Sequence, residues 1–136
     1  MSEQENTRLI QKVYDSFNAG DIEALLAALS VDIDWQLPDI EHVPFSGSRR
    51  GRQQVGEFFA QMGEQQDVQE LELKDFIAQG DKVVVLGHYA WRVKSTGRKF
   101  AGDWAHVFTV QSGQIVRFQE YTDTAAAAAA HRSSAA

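Results

Sequence analysis

The segment Phe100–Tyr121, FAGDWAHVFTVQSGQIVRFQEY, decides how this chain folds. Trp104, His106, Phe108 and Val110 are spaced two apart, so on a strand they share one face. That face is aromatic apart from a single imidazole, which suits the wall of an apolar pocket. Gln111-Ser112-Gly113 interrupts the run and a second strand-like stretch follows, so the segment reads as a hairpin. Two registers are open to it. A two-residue turn at Ser112-Gly113 pairs His106 with Gln119 and Trp104 with Tyr121, and turns Arg117 and Gln119 inward. A three-residue loop with Gly113 left-handed pairs His106 with Phe118 and Trp104 with Glu120, and turns Val116 and Phe118 inward. Burying Val and Phe is far less costly than burying an unpartnered Arg, which favours the three-residue loop. Glu120 then stands diagonal to His106, about 7–8 Å away or somewhat less.

The strands before this hairpin follow the same alternation. Val83, Val85, Gly87, Tyr89, Trp91 and Val93 share one face of a strand over Lys82–Lys94, closed by the turn Ser95-Thr96-Gly97. Upstream, Leu71 and Leu73 fall in one phase and Phe76 and Ala78 in the other, so a bulge near Lys74-Asp75 is expected, bending the sheet. Three helices precede these strands. Leu9, Ile10, Val13, Tyr14 and Phe17 form one apolar stripe over Glu3–Asn18, ended by Gly20. Asp21 caps a short second helix that buries Leu25, Leu26 and Leu29. A third, from about Arg52 to Gln66, buries Val55, Phe58, Phe59 and Met62. Ile33, Trp35 and Leu37 read as a half-buried strand, and Asp39–Arg50 as a loop long enough to cover something.

The fold class expected is α+β: a cone-shaped fold with N-terminal helices packed on a strongly curved, largely antiparallel sheet. Residues 1–124 read as a single domain and residues 125–136, with six consecutive alanines, as an alanine-rich flexible tail. Composition narrows the function. With 136 residues and no Cys, disulfides, thiolate metal sites and cysteine nucleophiles are excluded. The net charge of -6 argues against a nucleic-acid partner. Neither an apolar leader nor a run near the ~20 residues of a membrane span is present, so a cytoplasmic location is expected. His42, His88 and His106 lack ligand spacing, so no metal and no cofactor are expected. Ser46, Ser48 and Ser95 have no arguable base beside them.

A His–Glu pair in an apolar wall can act as general acid and base near neutral pH, which makes His106 and Glu120 the candidate catalytic residues. The plainer reading of a lone His among aromatics is a core residue with its hydrogen bonds satisfied.

Phe17-Asn-Ala-Gly20-Asp21-Ile-Glu-Ala24, Asp32-Ile-Asp-Trp35, Phe45-Ser-Gly47 with Arg50-Gly51-Arg52, Trp104-Ala-His106-Val-Phe108, Gly113-Gln-Ile115 and Glu120-Tyr121-Thr-Asp123 resemble the nuclear transport factor 2-like superfamily, in its SnoaL-like, ketosteroid isomerase-related branch. The resemblance covers the chain except the alanine tail. It implies a cone with a small-molecule pocket and a homodimer formed through the outer face of the sheet. It does not imply steroid isomerase chemistry. The family's general-base Asp falls on Leu37 before Pro38, its oxyanion Asp on His106, and its oxyanion Tyr on Val13, one residue from Tyr14. Cyclases of this branch use an acid/base residue on the late strands, where His106 is the nearest equivalent. The expected pocket lining is Tyr14, Phe17, Trp35, Leu37, Phe58, Phe59, Met62, Tyr89, Trp91, Trp104, Phe108 and Phe118. Two functions follow: a cofactor-free isomerase, cyclase or hydro-lyase acting on a hydrophobic small molecule, with His106 as principal acid/base and Glu120 orienting it or sharing its proton, or a non-catalytic binding or dimerisation module.

Overall fold

The structure is a computed structural model and describes residues 2–132. Helix α1 (Glu3–Ala19) begins with a capping box: the Ser2 hydroxyl accepts from the Glu5 amide and the Glu5 carboxylate accepts from the Ser2 amide. It ends at Gly20, whose left-handed φ of 73° admits glycine readily. Asp21 caps α2 (Ile22–Ala27) by accepting from the Ala24 amide at 3.1 Å. Then follow β1 (Leu29–Gln36), the two-residue β2 (Arg49–Arg50), α3 (Gly51–Gln65), β3 (Gln66–Gln79), β4 (Lys82–Val93), β5 (Lys99–Gln111), β6 (Gln114–Thr122) and α4 (Thr124–His131).

The six strands form one sheet in the order β2-β1-β6-β5-β4-β3. Only the β1–β6 pair is parallel. Strand β3 breaks register between Leu73 and Asp75, where the change of phase requires it, and again between Val68 and Glu70. Each bulge adds twist, so the sheet curls around α1 and α3 without closing. Its concave face carries Val83, Val85, Tyr89, Trp91, Phe108 and Phe118, against Ile10, Val13 and Tyr14 of α1 and Val55 and Phe58 of α3.

The register of the last hairpin differs from both sequence readings. A two-residue turn does close it, with Gln111 opposite Gln114 and both Ser112 (φ 51°) and Gly113 (φ 76°) left-handed. A bulge at Val116 then shifts the pairing, so that Val110 faces Ile115 but Thr109 faces Arg117. The shift buries Ile115 and Phe118 together and leaves Arg117 exposed, which neither unbulged register allows. Phe118 and Glu120 face inward as expected. Val116 does not, and Glu120 lies directly opposite His106 rather than diagonal to it.

The alanine run, expected as a frayed tail, is ordered up to His131. Asp123 accepts from the Ala126 amide, and Ala127, Ala130 and His131 are buried. The β4–β5 turn covers the other end of this helix: Thr96 donates to the Ala130 carbonyl at 2.7 Å, and Arg98 donates to Ala129 and Arg132. A stripe of methyl groups is too small to signal burial in the sequence, yet it lets the helix lie close. Residues 133–136 of the expected tail lie outside the described residues.

Candidate active site

The inner face of β5 carries the imidazole. Trp104 stacks on His106 at a centroid distance of 4.0 Å, and Phe118 meets it edge-on at 4.9 Å. Gly87, opposite Trp104 on β4, makes room for the indole: a Cβ there would lie 2.7 Å from Trp104 Cε2 and 2.5 Å from the Glu72 carbonyl. Held between these rings, His106 uses both nitrogens. Its Nε2 lies 2.8 Å from Glu120 Oε2, and its Nδ1 lies 2.6 Å from the Tyr14 hydroxyl on α1.

The partners dictate where the proton sits. An ionised carboxylate only accepts, so Nε2 carries the hydrogen toward Glu120. Nδ1 of the neutral ring then accepts from Tyr14. Tyr14 is suited to donate, because burial first and the Glu120 charge second push its ionisation well above the usual tyrosine range. Tyr14, His106 and Glu120 thus form a directed chain of hydrogen bonds. Glu120 Oε1 makes no hydrogen bond to the protein among the described residues. The His106 and Glu120 side chains remain 12% and 17% exposed, which leaves both reachable from the cavity beside them.

That inner chamber has a cavity volume of about 90 Å³. Tyr14 and Phe17 of α1, Trp35 and Leu37 at the end of β1, Phe58, Phe59 and Met62 of α3, and Tyr89, Trp91, His106, Phe108, Phe118 and Glu120 of the sheet all line it. The sequence reading identified each of these. Trp104 is the exception: it lies behind His106, 3% exposed, and lines no part of the chamber. Val13, Leu25 and Leu71 also line the wall and were missed, being indistinguishable in pattern from ordinary core positions. Trp35 stacks on Phe118 at 4.0 Å, and its indole N–H is buried without a partner among the described residues.

A second, outer chamber adjoins the first, with Leu37, Phe58, Met62, Tyr89, Trp91 and Glu120 as the common wall. The Tyr89 hydroxyl is paired with Thr122 there. Burial, then the charge of Glu120, raises the ionisation of Tyr89 above the usual range, with the Thr122 bond opposing. His42 lines neither chamber, and His88 lies on the outer face, bonded to Asp103 at 2.9 Å. Among the described residues no three metal-ligating side chains come together, and no helix is long and apolar enough to cross a membrane.

The shifted tyrosines set an expected pH dependence. Both ionise at higher pH folded than unfolded, so folding holds their protons more tightly. Their contribution to stability is complete below about pH 10, the unfolded value, and is lost as pH rises beyond it. Urea midpoints should fall above that pH, and less steeply in Tyr14→Phe; equal slopes in the two proteins would contradict this.

Comparison with known proteins agrees with this fold. The sequence profile of the SnoaL-like domain matches residues 10–118. The chain belongs to the SnoaL-like family. Among solved structures, a nuclear transport factor 2-like protein of Burkholderia xenovorans LB400 is 34% identical over 97% of this chain and 99% of its own, with a TM-score of 0.89. A second, from Burkholderia thailandensis E264, is 27% identical over 94% and 98%, at 0.84. TerC, co-crystallized with polyporic acid, is 28% identical over 95% and 99%, at 0.80. Curated protein sequences give no significant match. The SnoaL-like assignment and the α+β cone expected from the sequence are both shown by these matches.

Proposed function

We propose that this SnoaL-like protein is a cofactor-free enzyme that moves a proton on a flat, hydrophobic small molecule: an isomerase, cyclase or hydro-lyase. The observation that carries the reading is the Tyr14–His106–Glu120 chain set in an otherwise apolar chamber. Both imidazole nitrogens are engaged, so Glu120 meets the substrate through its free oxygen, with His106 behind it as proton partner. Glu120 Oε1 takes a proton from a carbon next to a carbonyl and becomes a carboxylic acid, while the C–H electron pair moves into an enolate. Return of the proton to a different carbon, or closure of the enolate carbon on a second carbonyl, completes an isomerisation or a cyclisation. His106 stabilises the charged carboxylate through Nε2–H, and the Trp35 N–H, which has no partner among the described residues, is the donor for the developing enolate oxygen. The co-crystal of TerC with polyporic acid supports a small molecule as the occupant of such a fold.

The test is hydrogen–deuterium exchange at the activated carbon of 2-tetralone, followed by proton NMR in D2O. Exchange faster than in buffer is expected. The engagement of both His106 nitrogens within the protein favours a second reading, a binding module. Tight binding of 2-tetralone without faster exchange would select it.

Dimerisation through the outer sheet face belongs to the same proposal. Ile77, Val84 and Val107 line up across that face, with Leu86, Ala105 and Tyr121 in a neighbouring row. Ile77 and Tyr121 are each 54% exposed, more than such side chains ordinarily are. Sedimentation should give twice the chain mass; a monomer at micromolar concentration would remove this part of the proposal.

A further inference from the structure

The outer chamber holds buried polar groups that the proton chain does not use. His131, the last residue of α4, is 8% exposed and lies between Phe45 and Phe100, with ring centroids 5.8 and 6.0 Å away. Its Nδ1 is 2.9 Å from the Ala127 carbonyl oxygen. A carbonyl only accepts, so the ring hydrogen is on Nδ1, and Nε2 of the neutral ring is an acceptor. That nitrogen is buried without a partner among the described residues, and so is Oε1 of Gln66, a residue 6% exposed at the start of β3. Both residues line the chamber.

Several other polar groups of this wall already have partners. Ser46 donates to the Val43 carbonyl and accepts from the Ile40 amide, Tyr89 pairs with Thr122, and Glu120 Oε2 accepts from His106. What remains, beside the free Glu120 Oε1 on the common wall, is a pair of buried acceptors. Buried acceptors are ordinarily satisfied, and an unsatisfied pair lining an open space is completed by a donor brought in from outside.

We propose that the outer chamber is a second ligand subsite, in which His131 Nε2 and Gln66 Oε1 receive the hydroxyl hydrogen of an elongated aromatic substrate whose apolar body occupies the inner chamber. The proposal rests on the reading of the inner chamber as the substrate pocket. It extends that reading to substrate class: a hydroxylated aromatic, with the hydroxyl at the end away from the reacting carbon. Glu120 lines both chambers, so a molecule lying across their common wall passes its carboxylate. Methyl ethers and unsubstituted rings are disfavoured, because neither supplies a donor.

Three probes of one shape separate the possibilities: 4-phenylphenol, 4-methoxybiphenyl and biphenyl, with binding to the full chain read by quenching of tryptophan fluorescence. The phenol is expected to bind about tenfold more tightly than the ether, the effect of one satisfied hydrogen bond. His131→Phe keeps the aromatic packing and should erase that difference. Gln66→Leu, on a different element, should narrow it independently, which covers the case in which the α4 variant undocks. Equal affinity of phenol and ether in the unmodified protein, or a difference that survives in both variants, overturns the subsite. If none of the three probes binds, the inner-chamber reading itself has failed and the subsite falls with it.

Discussion

Glu120→Gln is expected to lower the rate of proton exchange on 2-tetralone by roughly 10²- to 10⁴-fold, the range general acid–base groups contribute. Glutamine keeps the size of the side chain and an oxygen to accept from His106 Nε2, 2.8 Å away in the native pair. What it loses is the capacity to take a proton. The variant should therefore unfold at the native urea concentration and bind 2-tetralone as before, with the loss confined to turnover. His106→Ala should lose a similar factor, because it leaves the carboxylate in an apolar wall without its hydrogen-bond donor. Tyr14→Phe, which removes only the far end of the chain, should lose less. A Glu120→Gln protein of unchanged rate would remove Glu120 from the chemistry.

The second large effect is on stability. Phe108→Ala should cost about 3–5 kcal/mol, as large-to-small substitutions at buried aromatic sites do. Phe108 is 2% exposed and touches every layer of the cone: Tyr14 of α1 at a ring distance of 6.0 Å, Phe118 of β6 at 5.1 Å and His106 on its own strand at 6.3 Å. Against a total of about 5–15 kcal/mol for a domain, that loss leaves a marginal fold. A fall of less than about 1 kcal/mol in urea unfolding would mean that the helix and sheet layers close over the gap, contrary to the packing described.

Much of this site was readable because alternation on long strands is a strong signal. Tyr89, Trp91, His106, Phe108 and Phe118 all face the cavity that their spacing two apart implied. Trp104 shares that spacing yet lies behind the imidazole, since alternation fixes the face of a strand but not the depth in the wall. The direct pairing of His106 with Glu120 was not readable. It depends on a bulge at Val116, whose cause is the joint burial of Ile115 and Phe118 in a curved sheet, and no residue type marks that position. Tyr14 was named as pocket lining, but its bond to His106 spans 92 positions of sequence and follows from how α1 docks. Least legible was α4. Its burial depends on hydrogen bonds from Thr96 and Arg98 rather than on apolar side chains, so the alanines concealed the approach of His131 to the outer chamber.

The directed chain from Tyr14 through His106 to Glu120 is the centre of this account, and nitrogen-15 NMR of the imidazole reads it directly. In the neutral ring, His106 should carry its hydrogen on Nε2, with Nδ1 showing the shift of a nitrogen that accepts a hydrogen bond. That Nδ1 signal should move toward a free nitrogen in Tyr14→Phe. A neutral ring with its hydrogen on Nδ1, or an Nδ1 signal indifferent to Tyr14→Phe, would contradict the account.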